Sequence, residues 1–278
     1  YPPVNDVFNK FGADAVRLYL ISGPVVKAGD LKFKENDIKT IVKNVHYLMY
    51  NMTTYLLQMV DLYQKNTETC FIPLDIINNK ELVTNPIDIW ILQYTNKFIE
   101  DIHKDMSNYE LYHVVNRICD LIDKLSRWYL KLSKLRFTDS DHIALSVYYE
   151  CMLNIVITLA PFTPFMSEII YQKLKLIKIN KESVHLIQMK KSIWDSDTSL
   201  LLPMEYLYKV INATREIRTN KLGKSLKHPV NNLILVHKNQ EILDNIKILE
   251  ECLVNEVNVM NIHYSSNEQD YIEYKLSI

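Results

Sequence analysis

The side chains with the clearest chemical potential are cations set at helical spacing. Wound as a helix at about 100° per residue, residues 109–137 place Arg117, Lys124, Arg127, Lys131 and Lys134 on one narrow stripe, interrupted by Asp120 and flanked by Asp123. Ile118, Leu121, Ile122, Leu125, Tyr129 and Leu132 form a separate apolar face, with Trp128 at the border. A row of cations on a rigid rod suits a phosphate backbone, because each neutralised phosphate releases counterions. An ordinary solvated helix face has the same pattern and is the commoner fate of a charge run. Trp128 and Tyr129 could stack on unpaired bases, but Tyr129 lies well inside the apolar arc and reads as core. A second basic group, Arg215, Arg218, Lys221, Lys224 and Lys227, leads into His228-Pro229. Arg215 and Arg218 share a helix face. The lysines lie in or near a turn, which can meet phosphate or simply be solvated.

Catalytic chemistry has no comparable constellation. The 8 histidines are scattered without an H-E-x-x-H pattern, and neither G-x-S-x-G nor a phosphate-binding glycine loop occurs. Only 4 glycines are present, which argues against a nucleotide-binding fold and favours helices. Asp101, His103 and Asp105 read as surface residues. Cys70, Cys119, Cys151 and Cys252 are far apart and form no C-x-x-C pair, so zinc and a disulfide framework are disfavoured, and reduced thiols in an intracellular protein fit better. A formal net charge of -1 means that any nucleic-acid role must be local.

The elements that must carry these groups are mostly helical. At 278 residues and 48% apolar, the chain suits one large domain or two small ones with a real core. Opening at Tyr1, it reads as a fragment or a processed product. Periodicity predicts a helix over 6–21, a long helix over 36–64, and another from Asn85-Pro86 to about Met106. Ser107 and Glu110 suggest a capping box before the helix over 109–137. Asp141 caps the next, which Pro161 and Pro164 interrupt and Thr163-Pro164 restarts. The stretch from Cys151 to Met166 falls short of the ~20 residues a membrane span needs and reads as a buried helix, so no membrane partner is expected. Beyond a boundary between Ser192 and Leu202, helices at 203–220 and 239–256 alternate with β-like runs at 232–237, 259–264 and 271–278. The expected fold is mainly α, an antiparallel helix bundle followed by a small α+β subdomain.

Several segments carry a resemblance in the same order along nearly the whole chain. Phe11-Gly12-Ala13-Asp14-Ala15-Val16-Arg17-Leu18 resembles the YGADALRL segment that follows the K-M-S-K-S loop of class I aminoacyl-tRNA synthetases for branched aliphatic amino acids. Pro24-Val25-Val26-Lys27-Ala28-Gly29-Asp30-Leu31-Lys32-Phe33-Lys34-Glu35 is similar to the isoleucyl version of its segment. Ser126-Arg127-Trp128-Tyr129-Leu130-Lys131 resembles SNWYVR, with Arg127 in place of the usual Asn and Lys131 in place of Arg. Lys134-Leu135-Arg136 stands where the family has a denser arginine run. Leu159-Ala160-Pro161-Phe162-Thr163-Pro164-Phe165-Met166-Ser167-Glu168 and Ser183-Val184-His185-Leu186 resemble two further motifs of the family, and Arg215-Glu216-Ile217-Arg218 and Lys227-His228-Pro229 follow the C-terminal part.

The resemblance implies an anticodon-binding region of the isoleucyl type, as found in the eukaryotic cytoplasm. It implies a connector over 1–35, a helical-bundle domain over 36–195 and a small subdomain over 196–278. The implied partners are a tRNA that accepts isoleucine and a catalytic domain of the same polypeptide. ATP and magnesium belong to that domain, and no cofactor belongs to this fragment. The implied tRNA-binding residues are Arg117, Lys124, Arg127, Lys131, Lys134, Arg136, Arg215, Arg218, Lys221, Lys224 and Lys227. The alternatives are the same module of a valyl or leucyl enzyme, or a helical scaffold that binds protein.

Overall fold

The computed structural model describes residues 2–178, 181–195, 197–221, 223 and 226–267. Lys224 and the β-like run expected over 271–278 lie outside the described residues. The chain divides into two compact units, Tyr1–Ser196 and Asp197–Ile278. The fold is mainly α, a helix bundle and a small α+β part.

Two helices, α1 (Val4–Phe11) and α2 (Ala13–Ser22), replace the single helix expected over 6–21. Gly12 separates them at φ 82° and ψ 154°, a backbone region that residues with a Cβ rarely enter. α3 (Glu35–Ile41) continues through a π turn at Val42–His46 into α4 (Tyr47–Thr67). Of the apolar residues that predicted this helix, Ile38, Ile41, Val45, Met52, Leu56 and Val60 are buried, while Leu48 and Met59 are half-buried. Asn85 caps α5 (Pro86–Ser107) by accepting from the Ile87 amide at 2.9 Å, with Pro86 at the first helical position.

Ser107 does not cap the next helix. It ends α5, and its hydroxyl donates to the His103 carbonyl at 2.8 Å. The helix expected over 109–137 is segmented into α6 (Val114–Asp123), a π turn at Lys124–Tyr129, α7 (Leu130–Leu132) and α8 (Lys134–Thr138). α9 (His142–Leu159) starts where expected, with Asp141 accepting from the Ile143 and Ala144 amides at 2.9 and 3.0 Å. It stops at Leu159, and α10 (Pro164–Lys178) begins after a turn, so the prolines separate two helices.

α9 is the centre of the first unit. It packs against α4, α5 and α10. Among the described helices it alone is long and apolar enough to cross a membrane, yet 78% of it is inside the protein. Its tyrosines bury rings and still satisfy their hydroxyls: Tyr148 donates to the Met52 carbonyl at 2.7 Å and Tyr149 to that of Leu174 at 3.3 Å.

The motifs singled out in the sequence meet one another. Asp14, 6% exposed, accepts from the Met166 amide at 2.7 Å and so caps α10 from another helix. Arg17 donates to the carbonyls of Pro161 and Phe162 at 3.0 and 3.3 Å, in the turn that precedes α10. Glu168 in α10 accepts from the Ser183 hydroxyl and the Val184 amide at 2.9 and 3.0 Å. These residue runs therefore dock α2 and the 183–186 segment onto the bundle.

In the second unit, α11 (Leu201–Glu216) runs into a π turn at Ile217–Lys221. β1 (Val230–Val236) pairs in parallel with β2 (Val259–Ser265), and α12 (Gln240–Lys247) and α13 (Glu250–Val257) make the crossover. The single helix expected over 239–256 is divided at the buried Leu249.

Replacing Gly12 with Ala should lower stability by roughly 1–3 kcal/mol through backbone strain, because nothing lies within 4 Å of the added Cβ to cause a clash. An unchanged urea midpoint would show that the α1–α2 junction relaxes freely. A second outcome concerns acid. Burial holds the His46 pKa below its ordinary 6.5, although the Asp14 charge pulls it up. The unfolded chain therefore takes up this proton first, and stability falls as pH drops below about 6.5 towards the folded pKa. His46→Gln should flatten that part of a urea-midpoint-against-pH curve.

Candidate nucleic-acid interface

A π turn carries about one residue more than an α turn, which rotates everything beyond it by about 100° relative to a regular helix. The turn at Lys124–Tyr129 lies within the basic stripe. It divides the stripe into cations that face the protein and cations that face solvent. Arg117, before the turn, is held by α5. Its Nε and Nη2 meet the Asp105 carboxylate at 2.5 and 3.1 Å, and its Nη1 meets Asp101 at 2.5 Å. Asp105 is only 2% exposed, which corrects its reading as a surface residue. Hydrogen bonding to Asp105, with the charges of both carboxylates, raises the Arg117 pKa.

After the turn the picture reverses. Arg127 pairs with Asp123 at 2.8 Å, yet 75% of its side chain is exposed. Lys131 and Lys134 are exposed, as is Leu135 at 75%, while Lys124 and Trp128 are half-buried. Trp128 is thus no full core residue, whereas Tyr129 is completely enclosed.

Arg136 differs from its neighbours. Its Nη1 and Nη2 fork onto Asp88 at 2.9 and 2.7 Å, and its Nε reaches Asp141 at 2.8 Å. Asp88 has no exposed surface. In the first turn of α5, it anchors a buried ion pair. Burial pushes its pKa up, and the Arg136 hydrogen bonds and charge pull against that shift. Tyr129 donates its hydroxyl to Asp88 at 2.9 Å and to the Ala144 carbonyl at 3.1 Å. Burial raises the Tyr129 pKa well above its ordinary value, so the hydroxyl stays a donor.

The second basic group is also largely engaged. Arg215 pairs with Glu256 at 2.5 Å. Arg218 is 2% exposed and donates to the carbonyls of Val257, Asn258 and His228. It thereby satisfies the carbonyl end of α13, where a cation also suits the helix dipole. Lys227 is exposed, and the side chain of Lys221 lies outside the described residues. Of the arginines expected to face RNA, Arg117, Arg136, Arg215 and Arg218 are therefore bound by protein groups. Their acidic partners went unrecognised in the sequence. The one usable signal was Asp101 and Asp105, four apart on one helix and able to grip a single guanidinium.

Residues 88–233 match the family model of the anticodon-binding domain of tRNA ligase. The cytoplasmic isoleucine–tRNA ligase of Saccharomyces cerevisiae is 33% identical over 293 residues, covering 99% of this chain and 27% of the yeast protein. That of Schizosaccharomyces pombe is 34% identical, covering 98% of this chain and 26% of its own length. The isoleucine–tRNA ligase of Bdellovibrio bacteriovorus is 32% identical, covering 98% and 26%. The chain spans about a quarter of the length of these curated relatives.

Replacing Arg218 with Ala should destabilise the 197–278 unit by about 1.5–3 kcal/mol, the range for hydrogen bonds to a charged group. Hydrogen exchange should show β2 and α13 losing protection while α9 keeps its own. Equal protection in the variant and the parent would mean that Arg218 is dispensable for this unit.

Proposed function

We infer the function from kinship: the chain belongs to the anticodon-binding domains of tRNA ligases, and we propose that it grips the anticodon arm of a tRNA accepting isoleucine. Relatives named for isoleucine match it along nearly its whole length, which supports that choice of tRNA over valine or leucine. Residues 1–35 serve as a connector, 36–195 as the binding bundle and 196–278 as a subdomain. Activation of isoleucine with ATP and magnesium is assigned to a catalytic domain outside this chain, and no step of it is routed through the residues described. The yeast relatives are cytoplasmic by name, and we assign this chain to the cytoplasm.

The observation that carries the contact surface is the outward set Arg127, Lys131 and Lys134, exposed along the π turn, α7 and α8 while neighbouring arginines are tied inward. Cations of this kind neutralise backbone phosphates and position the RNA. Unpaired anticodon bases can then be read by neighbouring side chains. Lys124 and Lys227 are secondary candidates at the margins.

Replacing Arg127, Lys131 and Lys134 together with Ala should leave the fold nearly intact, since all three side chains are exposed and an exposed ion pair contributes at most about 1 kcal/mol. Filter binding should show weaker affinity for every tRNA tested. The slope of log affinity against log salt should fall by about one unit per lost contact. Unchanged affinity and slope would place the contact surface elsewhere, and a parent chain with no salt-dependent tRNA binding would favour a protein scaffold.

A further inference from the structure

We propose that Arg136 is a positioning residue for RNA binding: its buried fork onto Asp88 sets where the exposed residues of α8 stand, without touching phosphate itself. The inference rests on the tRNA-binding reading above.

α8 is five residues long, Lys134–Thr138, and follows a break at Ser133. A helix this short does not hold its own shape in water. Something outside it must fix its orientation, and the alternation of its side chains shows what does. Ser133, Arg136 and Phe137 turn inward, with Ser133 and Phe137 buried, while Lys134, Leu135 and Thr138 are exposed. One face of a single turn is thus anchored, and the opposite face is presented.

The anchor joins four places in the bundle. Asp88 lies in the first turn of α5, and Asp141 caps α9. Tyr129 closes the π turn and donates to the Asp88 oxygen that Arg136 Nη1 also meets. Arg136 binds both carboxylates through different nitrogens, and its carbonyl also accepts from the Asp141 amide at 2.9 Å. Main chain and side chain of α8 are pinned to the same neighbours. A guanidinium can make this fork, whereas a lysine ammonium is a point charge that reaches one carboxylate at a time. The engaged guanidinium, three-quarters covered at 24% side-chain exposure, is not free to meet a phosphate.

The test compares tRNA binding by the parent chain, Arg136→Lys, Asp88→Asn and Tyr129→Phe over a series of salt concentrations. Circular dichroism and urea unfolding establish that each variant is folded. R136K keeps the charge and loses the fork. It should bind about tenfold more weakly, the equivalent of one charge-assisted hydrogen bond, with an unchanged salt slope. D88N should weaken binding in the same way, and Y129F, which removes the hydroxyl's bonds to Asp88 and the Ala144 carbonyl but keeps the fork, should weaken it less. The milder variants carry the test if R136K fails to fold. If Arg136 were instead a phosphate ligand, D88N would release the guanidinium and tighten binding, and that result overturns the proposal. Lower urea midpoints with parental tRNA affinity overturn it as well, by leaving Arg136 a purely structural role. A parent chain that shows no salt-dependent tRNA binding overturns the underlying functional reading, and with it this inference.

Discussion

A carboxylate with no solvent contact is tolerable in an apolar bundle only when its lone pairs are answered. Asp88 is such a group, and the way it is answered organises one end of the first unit. The Arg136 fork and the Tyr129 hydroxyl converge on it from α8 and the π turn, while the Arg136 Nε also holds Asp141 at the start of α9. The Tyr129 ring also packs with those of Phe137 and Tyr148, with centroids 5.7–6.3 Å apart. Replacing such a pair with well-packed apolar groups is often neutral or stabilising, so its presence says little about stability alone. Its geometric content is larger: the ends of α5, α8 and α9 can take only the arrangement in which the fork closes.

The opposite end of the unit uses the same logic with neutral partners. Helix α10 begins with amides that its own chain cannot satisfy, and Asp14 reaches across from α2 to accept one of them. Arg17 takes the carbonyls of the preceding turn. The segment over 1–35 is therefore held by directional bonds that depend on the α9–α10 turn keeping its shape. Two motifs more than a hundred residues apart are thereby tied together, each supplying hydrogen-bond partners that the other lacks.

Much of this was legible in the sequence because it depends on local spacing. The caps at Asn85 and Asp141, the buried α9 and the change to α+β beyond residue 200 follow from residue types at fixed offsets. What escaped depends on tertiary geometry. A helical wheel assumes one twist throughout, and the π turn at Lys124–Tyr129 breaks that assumption, so Arg117 and Arg127 cannot share the stripe assigned to them. Gly12 was read inside a helix because flanking apolar residues kept the period, while its positive φ left no mark on that period. The capping-box pattern at Ser107 and Glu110 was present, but the chain makes a turn through Tyr109 at φ 61° before α6 starts.

The division of labour between arginine and lysine connects these observations. The chain has only six arginines among 32 basic residues, so lysine is its default cation. Arg17 meets two carbonyls, Arg117 and Arg136 each bridge two carboxylates, Arg215 pairs with Glu256, and Arg218 gathers three carbonyls. Each of these sites needs either several donors in fixed directions or a cation kept beside a partly buried acid, tasks for which a guanidinium is better suited than an ammonium. Arg127 differs in having only an i,i+4 ion pair on an exposed side chain. Where a charge merely has to face solvent or a flexible polyanion, lysine suffices, as at Lys131 and Lys134. In a lysine-rich chain, then, a retained arginine marks a place where geometry matters. Here that geometry is mostly internal: within the basic motif Arg117 and Arg136 are bound to carboxylates, while Arg127, Lys131 and Lys134 are exposed.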